Sequence, residues 1–285
     1  MTTARGQRSG HLRRRRPRWG QNFLIDRATA HAIVDWAAVD GKAVLEIGPG
    51  RGALTGLLVE RASELVLVEI DSNLSARLQE TFQGHARVHV LCADVLTIDP
   101  ATVAGVANRV VANLPYDRGT TILMRLLGCF NGIEEMVLML QREVCERIAA
   151  QPGSKAYGQL SIQVQIRADV ELGRVIAPTC FRPQPKVQSR LLRVRPLARP
   201  RYPLGEESHF RCMLAAAFSQ RRKKLRNGLA AWLRRHVDGD ADASVLGEAR
   251  IDPEGRPEDV SVEGFAALAA LTYKAAGEPC PNCRK

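Results

Sequence analysis

Between residues 43 and 140, short apolar runs alternate with helical connections, and this alternation constrains the fold more than any other feature of the chain. The runs are Ala43–Ile47, Leu65–Ile70, Arg87–Leu91, Arg109–Ala112 and Met136–Leu140. Leu54–Arg61, Leu74–Phe82 and Thr121–Leu127 carry helical periodicity between them. Apolar strands joined through helices predict an α/β fold whose parallel sheet is covered on both faces. Upstream, Asp26 reads as the N-cap of a helix whose apolar face is Ala30, Ile33, Val34 and Ala37. Two or three further strands are expected between Ile162 and Arg195, interrupted by the proline-rich loop Phe181-Arg-Pro-Gln-Pro185. Pro196-Leu-Ala-Arg-Pro-Arg-Tyr-Pro203 holds three prolines in eight residues and reads as a linker, beyond which Ser208–His236 and Ser261–Lys274 are helical by periodicity. The expected division is a basic disordered arm over 1–18, an α/β domain over 19–196, a small helical domain over 204–275 and a tail over 276–285.

Charge narrows the partners. In 285 residues, 41 Lys and Arg against 30 Asp and Glu leave a formal charge of +11, and the pI is near 9.7. That balance points to a polyanion such as nucleic acid; an idle basic surface is the bland alternative. No apolar run reaches the roughly 18–20 residues that span a bilayer, so a membrane protein is not expected. The first eighteen residues hold seven arginines and no acid. They lack both the apolar stretch of a secretion signal and the amphipathic spacing of a transit peptide. Cys92, Cys129, Cys145, Cys180 and Cys212 stand singly, which fits a reduced, cytoplasmic protein. Cys280 and Cys283 have no second pair nearby, so a frayed tail is expected there and no metal.

Ala43–Thr55 reads as a buried strand, a glycine turn and a helix, with Gly48, Gly50 and Gly52 spaced GxGxG. Missing side chains let such a turn tighten and approach a ligand. A dinucleotide fold uses the same elements, and Glu69, twenty-one residues after Gly48, stands where such a fold places its ribose-binding acid. The GxGxG spacing, rather than GxGxxG, leans away from a pyrophosphate. Asp94 follows the third run and Asn113 ends the fourth. Gly48, Glu69, Asp94 and Asn113 therefore fall at the carboxyl ends of successive strands, where open α/β sheets bind ligands. An acid for ribose and an acid for an adenine amino group describe a nucleoside cofactor without phosphates, and S-adenosylmethionine is the candidate.

Asn113-Leu-Pro-Tyr116 is the sharpest chemical signal. An exocyclic adenine amine is a poor nucleophile because its lone pair is delocalised into the ring. Acceptors for its hydrogens favour a pyramidal nitrogen, and the Asn113 side-chain oxygen and Leu114 carbonyl can serve. Pro115 would fix the turn. Tyr116 offers a face on which a flipped base can stack.

These stretches, with Gly20-Gln-Asn-Phe-Leu24, Glu46-Ile-Gly-Pro-Gly50, Glu69-Ile-Asp71, Ser154-Lys-Ala-Tyr-Gly158, Phe181–Val187, Ala217–Lys223 and Arg256-Pro-Glu258, resemble the ribosomal RNA adenine dimethyltransferase family over roughly residues 18–270. The similarity is to the branch acting on small-subunit RNA. The resemblance implies a methyltransferase sheet with a seventh antiparallel strand and dimethylation of N6 on two adjacent adenosines. It also implies that Gln21, Asn22 and Leu24 close over the cofactor. Gly48, Gly50 and Glu69 would hold its methionine and ribose parts, Asp94 its adenine, with Asn113 touching it as well. Phe181 would stack on the target base opposite Tyr116. Two departures stand near the target side. Asp117-Arg118-Gly119 replaces the common Asn-Ile-Ser, and Gln188 replaces an Asp. The macrolide-resistance branch, acting on large-subunit (23S) RNA, usually has Ile for Leu114 and lacks the Ser154–Gly158 stretch.

Arg221, Arg222, Lys223, Lys224 and Arg226 place five cations in six residues on an expected helix, and Arg13–Arg18 form a similar run in the arm. In a chain of this charge they read as phosphate contacts, although such runs are often only solvated faces. The expected partner is ribosomal RNA within the small subunit, met by a monomer. The competing class is a non-catalytic RNA-binding assembly factor on the same fold.

Overall fold

The computed structural model describes residues 21–103, 105–237 and 242–276. The expected arm over 1–18 and the Cys280/Cys283 tail lie outside the described residues. The described chain opens with β1 (Phe23–Leu24) and α1 (Arg27–Ala37). Asp26 caps α1 as expected, its carboxylate accepting from the Thr29 N–H at 2.7 Å. Then follow β2 (Ala43–Ile47), α2 (Thr55–Arg61), β3 (Glu64–Glu69), α3 (Ser72–Thr81), β4 (Val88–Cys92), β5 (Arg109–Asn113), α4 (Gly119–Cys129) and β6 (Glu135–Gln141). Each of these five strands lies within a residue of its apolar run.

The second half brings α5 (Arg142–Ile148), α6 (Gln159–Gln165), β7 (Ala168–Ile176), β8 (Phe181–Arg182) and β9 (Ser189–Pro196). One seven-stranded sheet runs β4-β3-β2-β5-β6-β9-β7. Strands β2 to β6 pair parallel, and β9 lies antiparallel between β6 and β7. Neighbouring residues of the parallel strands point to opposite faces, and both faces are buried. Leu45, Val66, Val110 and Leu138 pack with Leu123 of α4 and Ile148 of α5. Val44, Leu65, Val111 and Val137 pack with Ile33 of α1 and Leu58 of α2 on the other side.

Two expectations need correction. Ile162-Gln-Val-Gln-Ile166 alternates like a strand, yet Ile162–Gln165 belongs to α6. The alternation arises because this helix is buried on two sides. Ile162 and Ile166 join the helical core, while Val164 joins the sheet core. Likewise Ser208–His236 is not one helix. It divides into α7 (Glu207–Ser219) and α8 (Leu225–Leu233), so Arg221, Arg222 and Lys223 lie in the connecting turn and Lys224 is the N-cap of α8. Helices α9 (Asp242–Glu248) and α10 (Val262–Ala276) complete the fold. Phe210, Met213, Leu229, Leu233 and Phe265 share one core with Tyr157, Ile162 and Ile166 from before the proline-rich segment. That segment is pinned. The N–H groups of Leu197 and Arg201 donate to the carbonyls of Arg167 and Ile166, both at 2.7 Å.

Candidate active site

Strand order turns around at β2: the chain proceeds outward to β3 and β4, then crosses to β5 on the other side. The carboxyl ends of β2 and β5 diverge into a crevice, the usual ligand site of such a sheet. A cleft partly open to solvent lies there. Gln21, Asn22, Leu24, Gly48, Gly50, Glu69, Asn113, Leu114, Pro115 and Tyr116, all expected from the sequence, line it. Asp94 and Phe181 do not.

The glycine turn shapes the floor. Gly48 and Gly50 adopt φ of +67° and +60°, in the left-handed region that disfavours side chains. A Cβ on Gly50 would stand 3.1 Å from the Phe23 ring. Phe23 in turn carries the Arg51 guanidinium 4.5 Å from its centroid. The β1 segment is thereby closed down on the turn.

Two carboxyl groups face this floor. Glu69, only 2% exposed, accepts from the Gly50 N–H through Oε2 and from the Asp71 N–H through Oε1, each at 2.9 Å. These bonds fix the carboxylate plane, and each oxygen keeps capacity for a further donor. Glu46 is equally buried, and its Oε2 has no hydrogen-bond partner among the described residues. Burial pushes its carboxyl up to about 8, and the charge of Glu69 adds to the effect. Glu46 was not among the expected site residues. Its signal was an acid inside a strand apolar on both faces, a place where a carboxyl needs a reason.

At the end of β5, the Asn113 amide nitrogen donates to the Asn22 carbonyl at 3.2 Å, leaving Oδ1 as acceptor. The amide orientation is the one this network assigns. The Leu114 N–H is tied to the Met139 carbonyl at 3.2 Å, while the Leu114 carbonyl accepts no hydrogen bond among the described residues. Tyr116 is fixed at its tip, its hydroxyl 2.7 Å from Ser189 Oγ. Burial pushes its phenol up. Ser189 is fully buried at the start of β9 and was missed in the sequence, where nothing links it to Tyr116 across 73 positions.

Phe181 pairs through its backbone with Leu24 in the β1–β8 ribbon and is 3% exposed within the sheet core. Its side chain belongs to the same buried cluster as Leu24 and Ile33 and is not among the residues that line the cleft. The departures also acquire physical reasons. A Cβ at Gly119 would run into the Leu140 side chain, so a larger residue there would force Leu140 to move. Gln188 accepts from Arg142 through both its side chain and its carbonyl, at 2.9 Å each.

The basic run is less free than its sequence implies. Arg221 meets Glu258 and the Lys155 carbonyl, while Lys224 and Arg226 share Glu254. Arg222 and Lys223 are exposed, with no ion pair among the described residues.

A sheet in this order, with a glycine-floored and carboxylate-lined cleft at its turning point, defines a methyltransferase-type α/β domain. The family model described as ribosomal RNA adenine dimethylase matches residues 12–267, and the chain belongs to that family. Ribosomal RNA small subunit methyltransferase A of Geobacter sulfurreducens is 41% identical over 269 residues, covering 93% of this chain and 97% of its own. The protein of that name from Aromatoleum aromaticum is 42% identical over 269 residues, covering 93% and 96%. Among solved structures, a dimethyladenosine transferase from Plasmodium falciparum superposes with a TM-score of 0.74 at 23% identity, covering 89% of this chain and 98% of its own. The 23S rRNA methyltransferase ErmE does so with a TM-score of 0.63 at 26% identity, covering 90% and 100%.

Proposed function

We propose that this chain transfers methyl groups from S-adenosylmethionine to N6 of two adjacent adenosines in small-subunit (16S) ribosomal RNA, acting as a cytoplasmic monomer. The observation that carries this reading is the pair of acceptors at the end of β5. Asn113 Oδ1, with its amide nitrogen already engaged, and the Leu114 carbonyl, which accepts no hydrogen bond among the described residues, stand beside Tyr116 in the cleft that also holds Glu69. Identity of 41–42% to small-subunit relatives against 26% to a 23S rRNA enzyme favours the small-subunit substrate over the large.

The cleft fits the cofactor. Its orphaned Glu46 oxygen is available to an ammonium group, its Glu69 carboxylate is preset for two vicinal hydroxyls, and the side-chain-free turn admits a close-lying ligand. When bound, the cofactor supplies an electrophilic methyl on a sulfonium. Asn113 and Leu114 accept the hydrogens of adenine N6, and the bonds strengthen as that nitrogen becomes pyramidal. Tyr116, anchored by Ser189, stacks on the extruded base and holds it in line. Arg222 and Lys223 are the members of the basic run available to phosphates, which would position the RNA without reading its sequence.

Incubation with methyl-labelled cofactor and each ribosomal subunit lacking the modification, followed by base mapping, tests this. Two adjacent dimethyladenosines in the small subunit are expected. Label in the large subunit would move the chain to the 23S reading. Cofactor binding without transfer to either subunit would leave an RNA-binding assembly factor.

A further inference from the structure

The Asp117-Arg118-Gly119 departure puts a cation beside the loop that follows β4. An Arg118 guanidinium nitrogen lies 3.0 Å from Asp94 Oδ2. Asp94 is committed elsewhere too, Oδ1 accepting from the Leu96 N–H at 2.9 Å and its carbonyl accepting from the N–H groups of Thr97 and Ile98. The loop itself is gripped by α4, since Arg125 donates to the carbonyls of Val95 and Ile98 at 3.1 and 2.8 Å. The carboxylate is thus fixed in place, while the long Arg118 side chain is 40% exposed. The cleft as it stands stops short of Asp94 while reaching Leu114, Pro115 and Tyr116 on the Arg118 side.

We propose that Arg118 sets the cofactor affinity of this enzyme by competing with the adenine ring for Asp94. Oδ1 takes the Leu96 N–H and Oδ2 the Arg118 guanidinium, so an exocyclic amine that approaches Oδ2 meets Arg118 there. Arg118 releases Oδ2 before the amine can donate there. The inference rests on the reading of Asp94 as the adenine-recognising acid. The competition is mild, since ion pairs of this exposure are weak, and it is screened by salt.

Titration calorimetry with S-adenosylhomocysteine tests it on wild type, Arg118→Gln, Arg118→Ile, Asp94→Ala and the Asp94→Ala/Arg118→Gln double variant. Thermal melts confirm that each is folded. Both Arg118 variants are expected to bind roughly two- to five-fold tighter than wild type at low salt. The gap should narrow as salt rises from about 0.05 to 0.5 M, and it should vanish in the Asp94→Ala background. Weaker or unchanged binding by the Arg118 variants, with Asp94→Ala still costing affinity, would overturn the competition and leave the adenine reading standing. If Asp94→Ala binds as tightly as wild type, the adenine reading falls and the inference falls with it.

Discussion

Replacing Glu46 with glutamine keeps the shape of a buried carboxyl and removes its ability to ionise. In the cofactor-free protein the Glu46 carboxyl is pushed from its ordinary 4.5 up to about 8, first by burial and then by the charge of Glu69. The folded state therefore holds this proton more tightly than the unfolded chain does. Wild-type stability should fall as pH rises from about 4.5 to about 8 and then level off, because ionising Glu46 costs more in the fold than out of it. At about 1.36 kcal/mol per pH unit the displacement sets a ceiling of about 5 kcal/mol. Local relaxation and water entry reduce such penalties, so about 1–3 kcal/mol is expected by pH 9. Urea unfolding of both proteins between pH 5 and 9, without cofactor, measures it. Glu46→Gln should match wild type near pH 5 and become progressively more stable above. The gain in stability should come with a loss in binding, since a neutral amide answers a cationic ligand poorly. Wild type should also release a proton on binding S-adenosylmethionine below pH 8, seen by calorimetry in buffers of different ionisation enthalpy, and the variant should not. A stability difference flat across this range would refute the assignment of a protonated, buried Glu46.

Asn113→Ala should lower the methylation rate by about 10²–10³ at saturating cofactor, as when one preorganised polar group is removed from a reacting centre; single-turnover assays resolving mono- and dimethyladenosine would expose a wild-type rate if Asn113 has no such role. Glu69→Ala should weaken S-adenosylmethionine binding by about 1.5–3 kcal/mol, and unchanged affinity by calorimetry would remove Glu69 from the ribose. Neutralising Arg222 and Lys223 should reduce the salt slope of RNA binding by roughly 0.7–0.9 for each phosphate left unneutralised, while cofactor binding stays intact. An unaltered slope in filter-binding titrations would return the run to a solvated face.

The frame of the fold was legible in the amino-acid sequence alone. Strands β2 to β6 could be read because parallel strands buried on both faces leave continuous apolar runs, and the glycine turn could be read because its residues stand next to one another in the chain. Asp26, Glu69 and Asn113 were placed by the same local logic, each at the end of an element. Whatever depends on contacts between distant segments was settled only by the folded chain. The strand-like alternation at Ile162–Ile166 became a helix because two separate cores claim opposite sides of it. The cationic run after Phe218 became a turn and the start of α8, with three of its charges paired to Glu254 and Glu258. Phe181 pairs with Leu24 and is buried in the sheet core, outside the lining of the cleft. Glu46 shows both sides in one residue. Its place in an apolar strand could be read from the sequence, but its lone oxygen and displaced proton affinity exist only once β2, β3 and the glycine turn surround it. Local pattern records which face of an element is buried; which groups meet there is fixed only when burial removes the water each could otherwise have used.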